Sequence, residues 1–454
     1  MFKKILIANR GEIAARVAQT CRRLGVATVG ITSEADADAL HPSVMDEVAV
    51  VGPAAVKESY LNVPAILEAA KRHGAEAVHP GYGLLSEKSH FARAVVEAGL
   101  VWIGPPPEVL DRLGDKMKSR RTAIEASVAP VPGTDSPVET LEQAREAVAH
   151  TGFPALVKAV GGGGGIGMQV VRDDTGLERA LKSCADRGAQ AFGDGRVYIE
   201  RYVIDPRHIE VQIFGDTHGN VVALGERECS LQRRHQKIVE ESPAPAFALS
   251  ARGEEHRQKI LDAAVRISKA AGYVGAGTCE FIWDSEREEF YFLEMNCRIQ
   301  VEHPVTEAVT GIDLVEQQLR VACGEALPEA VLHAASCGHA VEARVYAEDP
   351  SKGFIPKPGD ITELTWPEGE GVRVDAGVRA PGKVTPFYDP MIAKIIARGA
   401  TREEAIDRLH AALTATHVAP LVSNLPFLRA VLRSEEFAAG RYHTGFAEVF
   451  AKRR

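Results

Sequence analysis

The chain has 454 residues, too many for one ordinary hydrophobic core, so two to four lobes are expected. At 45% hydrophobic and 25% charged it has the composition of a soluble globular protein, and a net charge of −9 argues against nucleic acid as a ligand. No apolar run approaches the roughly 20 residues of a membrane helix, and the N-terminal run is too short for a signal peptide. Seven scattered cysteines, without C-x-x-C spacing, are expected as packing residues in a reducing cytoplasm.

In chain order, apolar runs at 4–8, 27–31, 77–79 and 101–103 predict buried parallel strands. Helical spacing at 12–24, 63–73 and 86–98 lies between them. This alternation predicts a parallel α/β sheet with right-handed crossovers. No G-x-G-x-x-G follows the first strand, so a dinucleotide site is unsupported. Helical material is expected at 111–127. A Pro/Gly break at 129–134 then opens a segment of about 75 residues carrying a glycine loop. Strands are expected at 209–214, 221–224, 278–283 and 289–295. The sequence resets after Gly324, and residues 339–346 begin a strand-rich piece with a helical tail.

The loop Gly161-Gly-Gly-Gly-Gly-Ile-Gly-Met168 follows a strand bearing Lys158. Glycines let backbone N–H groups wrap phosphate oxygens, and Lys158 adds a point charge, so a phosphate flap is expected. Residues 278–283 and 289–295 read as a hairpin. A register centred on Arg287 sets Glu280 directly opposite Glu294, with Asn296 on the same face. Opposed carboxylates call for a cation, and Mg²⁺ is commonly held by one or two carboxylates plus phosphate oxygens. The run 226–237 is densely charged and reads either as a solvated helix face or as donors (Gln232, His235, Lys237) for a nucleotide and a small anion. His208 opens a strand, where histidine is more often structural. The segment from Glu294 to Glu307 strings carboxylates, an amide, Arg298 and an imidazole behind an apolar strand, and a site is expected there.

Taken together these motifs resemble the biotin carboxylase family, with its ATP-grasp core. The resemblance covers nearly the whole chain. It is carried by Ile7-Ala-Asn-Arg-Gly-Glu-Ile13, His79–Glu87, Gly114-Asp-Lys116, the glycine loop, Gln232–Lys237, Glu294–Thr306 and Glu342-Ala-Arg344-Val-Tyr-Ala-Glu-Asp349. It implies an α/β chain of three parts: an N-terminal parallel domain (1–113), an ATP-grasp domain (114–330) with a lid at about 131–204, and a strand-rich C-terminal domain (331–454). It also implies ATP- and bicarbonate-dependent carboxylation of biotin on a separate carrier protein. Lys116, Lys158, Gly164 and Gly165 would meet the phosphates, and Glu200, Arg201, Tyr202 and Val203 the adenine. His208, Gln232 and His235 would line the nucleotide pocket, while Glu280, Glu294 and Asn296 would hold Mg²⁺ or Mn²⁺. Lys237, Arg298, Gln300, Val301 and Glu302 would cradle bicarbonate, with Glu302 as base, and Arg344 would meet the biotin ureido group.

The sequence departs from the family at Ile166 and Gln169, where basic residues are usual, and at Cys297. Gln19 and Arg23 do not offer an Arg–Glu pair associated with dimer contact, so a homodimer is expected from the family alone. No Ala-Met-Lys-Met site is present, so a carrier protein and carboxyltransferase are expected as separate cytoplasmic partners. Acetyl-CoA is the default acceptor; propionyl-CoA, another acyl-CoA and pyruvate are alternatives. A catalytically silent subunit, suggested by Ile166 alone, is a third reading.

Overall fold

The computed structural model describes residues 1–161 and 167–453. Strands β1 (Lys4–Ile7), β2 (Ala27–Ser33), β3 (Glu47–Gly52), β4 (Ala77–His79) and β5 (Val101–Trp102) form a parallel sheet in the order β3-β2-β1-β4-β5. Its centre is apolar because both faces are covered, which is why β1 reads as an unbroken apolar run. Helix α1 (Gly11–Leu24) carries Glu12 in its first turn and Arg22 and Arg23 in its last, matching the helix dipole. It stops at Gly25, whose φ of 71° a side chain would resist. Edge strand β3 was not expected, since its half-exposed alternation gives no continuous apolar run. The helix expected at 86–98 starts only at Ser89, and that expected at 111–127 is two helices broken at Asp115.

The glycine-loop segment forms a small antiparallel sheet, order β7-β6-β8, of β6 (Ala155–Ala159), β7 (Met168–Val171) and β8 (Val197–Arg201). It has its own apolar cluster, including Val157, Val171, Leu177, Cys184 and Ile199. Gly164, Gly165 and Ile166 lie outside the described residues.

The centre of the molecule is an eight-stranded sheet whose neighbours all run antiparallel. Strands β9 (Arg207–Gly215), β10 (Val221–Arg233), β11 (Gln236–Ser242), β12 (Gly275–Asp284), β13 (Glu289–Asn296) and β14 (His339–Tyr346) are joined by Met391–Gly399 and Val372–Ala376. Their order is β13-β12-β9-β10-β11-β14, then the two later strands. The strand-rich C-terminal piece therefore extends this sheet through β11–β14 pairing. The charged run 226–237 is not a solvated helix face. It is a buried hairpin turned at Arg234 and His235, both with positive φ, as two-residue hairpins require. Leu6 and Phe91 of the first lobe share one continuous apolar cluster with Ile213, Phe281 and Ile260. No helix among the described residues is long and apolar enough to cross a membrane.

Candidate active site

Register builds the site. Glu294 of β13 faces Glu280 of β12, Glu280 faces Glu210 of β9, and Glu210 faces Arg227 of β10. Three carboxylates and a guanidinium thus form one row across four strands. The expected Glu280–Glu294 pairing is present by a different route from that expected. The turn pairs Asp284 with Glu289, and a bulge between Glu280 and Phe281 restores the opposition.

Opposed carboxylates repel, so the row requires cations. The Lys237 ammonium donates to Glu210 (2.5 Å), Glu280 (2.8 Å) and Glu302 (2.6 Å). Burial works against its charge, but the three carboxylates outweigh burial and hold its pKa well above the ordinary lysine value. Arg227, with no solvent exposure, donates to Glu210, Gln212, Thr306, Thr278 and Gln300. Arg344 reaches Glu302 at 2.9 Å and Glu240 at 2.6 Å through one nitrogen. Glu302 is correspondingly ionised. Burial alone would raise its pKa, yet Lys237, Arg344 and Arg227 pull it well below the usual carboxylate range. Such a carboxylate gains basicity only when an incoming anion draws Lys237 or Arg344 away.

Glu294 behaves differently. Burial, with Glu280 adding to it and Lys116 and Lys158 opposing, raises its pKa. Repulsion between Glu280 and Glu294 is the imbalance a divalent cation would relieve, so the donor set fits a hard cation. Asn296 Oδ1 accepts from Arg298 at 3.0 Å. Among the described residues, His208, Glu210 and Glu280 also bring three potential ligand atoms within 4.8 Å of one another, and Lys237 already bonds both carboxylates of that group.

His208 lies 3.2 Å from Glu280 and 3.0 Å from Gln232, so these three meet on the sheet. His235 is exposed at the hairpin tip. Gln300 donates to Glu280, and the Val301 carbonyl accepts from Lys394. Lys158 donates to Glu200 at 2.9 Å; burial opposes its charge, but Glu200 and Tyr198 raise its pKa nonetheless. Lys116 opens the helix Lys116–Glu125, capped by Asp115. Burial, reinforced by Lys158, lowers its pKa, and an added anion would reverse that. The Glu200 carboxylate is committed to Lys158 and Arg120, and the Arg201 side chain to Tyr291. The N–H groups of Arg201 and Tyr202 bond Pro132 and Pro154, and Val203 follows β8 as connecting chain. Gln169 sits on β7 opposite Val157.

Sequence reasoning missed Glu87, which lies 3.2 Å from Arg298 and accepts from the Cys297 N–H at 2.8 Å. The segment His79–Glu87 entered only among the stretches that carry the family resemblance, with no role given to Glu87. It also missed Glu210 and Arg227, although His208, Glu210 and Gln212 alternate as a one-faced polar strand would.

Three family models match the chain: "Biotin carboxylase, N-terminal domain" at 1–110, "Carbamoyl-phosphate synthase L chain, ATP binding domain" at 115–330, and "Biotin carboxylase C-terminal domain" at 342–449. The chain is 50% identical to a biotin carboxylase of Halalkalibacterium halodurans, covering 98% of this chain and 97% of that one. It is 45% identical to a pyruvate carboxylase subunit of Methanothermobacter thermautotrophicus, covering 100% and 91%. It superposes with TM-score 0.93 on one chain of the biotin carboxylase domain dimer of Hydrogenobacter thermophilus 2-oxoglutarate carboxylase, solved with MgADP, ADP and bicarbonate, at 41% identity over 99% and 98%. With an ATP-grasp architecture and a charged row that single motifs could only hint at, the chain belongs to the biotin carboxylase family of ligases.

Proposed function

We propose that this site carboxylates biotin on a separate carrier protein, using ATP and bicarbonate, as the first half-reaction of an acetyl-CoA carboxylase. The observation that carries the reading is Lys237 at the meeting point of Glu210, Glu280 and Glu302, with Arg344 on the far side of Glu302. Bicarbonate entering beside Lys237 and Arg298 would loosen Lys237 from Glu302, restoring the basicity that Glu302 needs to take the bicarbonate proton. A bicarbonate oxygen then attacks the γ-phosphorus, ADP leaves, and carboxyphosphate forms. Lys116 and Lys158 offset phosphate charge during transfer. Glu280 and Glu294, with Asn296 beside them, would hold Mg²⁺ or Mn²⁺, which supplies charge neutralisation at the phosphates. Carboxyphosphate breaks into CO₂ and phosphate, phosphate accepts the ureido proton, and the biotin nitrogen adds to CO₂. Arg344 would neutralise the enolate-like ureido oxygen. The glycine loop, with Gly164 and Gly165, would shield carboxyphosphate from water.

The adenine is assigned to the connection at Glu200 to Val203, and His208, Gln232 and His235 to the pocket wall. Cytoplasmic placement accords with seven free cysteines, five of them buried. A homodimer is proposed from the dimeric relative; Arg23 here bonds Asp313 and Glu316 within its own chain. A silent subunit gains no support, since Lys237, Glu280 and Glu302 are assembled. The acyl acceptor meets only the carboxyltransferase, and relatives serving different acceptors are similarly alike, so the co-purifying carboxyltransferase decides between acetyl-CoA and pyruvate.

The test is ADP release by the purified chain with bicarbonate and Mg²⁺, with and without free biotin. Bicarbonate-dependent, biotin-stimulated release is expected, and Glu294→Gln should lower it on the order of 10²-fold while the fold persists. No stimulation with ATP binding intact, or full turnover in Glu294→Gln, would overturn the assignment.

A further inference from the structure

Behind Arg344 lies a pair of acids to which the reaction assigns no role. Glu240 of β11 and Glu342 of β14 stand directly opposite each other in register, and neither is exposed at all. Among the described residues, none donates a well-aligned hydrogen bond to any of their four carboxylate oxygens. Buried carboxylates without hydrogen bonds are costly, and two facing each other are costlier, so a purely structural sheet would not keep them. Around them stand Arg344 and Tyr346 on β14, Lys237 on β11, Lys394 on the next strand, and Glu302 with His303 at the start of the helix packed across them. Arg344 makes the ion pair to this couple, at 2.6 Å from Glu240. Lys394 is engaged elsewhere, by the Val301 carbonyl, Glu12 and Asp375. The same Arg344 nitrogen bridges to Glu302.

We propose that Glu240 and Glu342 are positioning residues that share one proton and anchor Arg344, so that their single negative charge sets where the guanidinium meets the biotin ureido group. This rests on the functional reading above. Two such groups cannot both ionise in a buried site, so the second proton stays on the pair near neutral pH. Burial, with Glu302 adding and Arg344 opposing, pushes Glu240 up to about 7. Glu342 lies well above its ordinary value, through burial first and with Glu240 adding, Lys394 opposing. Singly ionised, the pair keeps Arg344 between two anions, Glu240 and Glu302. Fully protonated, it leaves Glu302 alone to hold the guanidinium.

The experiment measures bicarbonate-dependent ADP release with and without free biotin, against pH, in the wild type, Glu240→Gln and Glu342→Gln. Glu240→Gln should lower the biotin-stimulated component on the order of 10-fold or more, as misplacement of a reacting partner does, while the biotin-independent component stays within about two-fold. Glu342→Gln replaces the protonated partner with a neutral amide and leaves the single charge on Glu240. It should keep both the biotin stimulation and the inflection near pH 7, which Glu240→Gln should remove. An equal loss of both components in Glu240→Gln, an inflection that persists in it, or loss of biotin stimulation in Glu342→Gln overturns the inference while leaving the function intact. Absence of biotin stimulation in the wild type removes the functional reading and this inference with it.

Discussion

The parallel sheet of the first lobe and the antiparallel sheet at the centre are built on opposite principles, though one apolar cluster joins them. At the middle of the first, Ile5, Leu6, Ile7 and Val29 are wholly buried and apolar. At the middle of the second, Glu210, Arg227, Glu228, Glu240, Glu241 and Glu342 are wholly buried and ionisable. Burying a charge is unfavourable unless it is paired and hydrogen-bonded, so the charged row of the central sheet depends on mutual compensation, whereas the first lobe depends on transfer of apolar side chains from water. Compensated charges lose much when one member is removed, because the partner is left buried and unpaired. The central sheet thus gives up robustness in return for preorganised charge.

The comparison is exposed most sharply by Arg227→Met. Removal of a guanidinium bonded to five side chains should cost about 3–5 kcal/mol in urea unfolding. A loss under about 1 kcal/mol would mean that the charged row is not what holds this sheet. Next comes Glu241, bonded to Arg402, His339 and Tyr442. Burial would raise its pKa, but Arg402 and His339 lower it to about 2 from an ordinary 4.5. Because the folded value is depressed, its stabilisation is present above about pH 4.5 and is lost as pH falls toward 2. Glu241→Gln should therefore be less stable than the wild type by about 3 kcal/mol at neutral pH, with the gap closing below about pH 4.5. A gap independent of pH would break the assignment to charge pairing. The smallest effect belongs to the first lobe. Gly25→Ala, at the left-handed cap of α1 with open space around the added methyl, should cost about 1 kcal/mol in the same unfolding assay. Because no ion pair is touched, that cost should not vary with pH.

The contrast also explains what could be read beforehand. Four strands of the parallel sheet were visible because burial on both faces demands unbroken apolar runs, whereas β3 at the edge broke that signal. Opposition of Glu280 and Glu294 was legible from hairpin spacing, but the bulge that achieves it was not. The run 226–237 looked equally like a solvated face because charge in a sequence does not say whether the counter-charge lies nearby in space. Its partners Glu302 and Glu280 are 65 and 43 residues from Lys237.

By itself the sequence determined the α/β alternation of the first lobe, the glycine loop after a lysine-bearing strand, and the family, since each is written in local periodicity or contiguous motifs. The tertiary structure alone decided that Lys237 draws three carboxylates together, that Arg227 joins them through Glu210, that Glu87 reaches Arg298, and that Glu240 meets Glu342. Those facts depend on strand order and register between segments far apart in the chain. A buried charge becomes tolerable only when such a partner is delivered to within hydrogen-bonding distance.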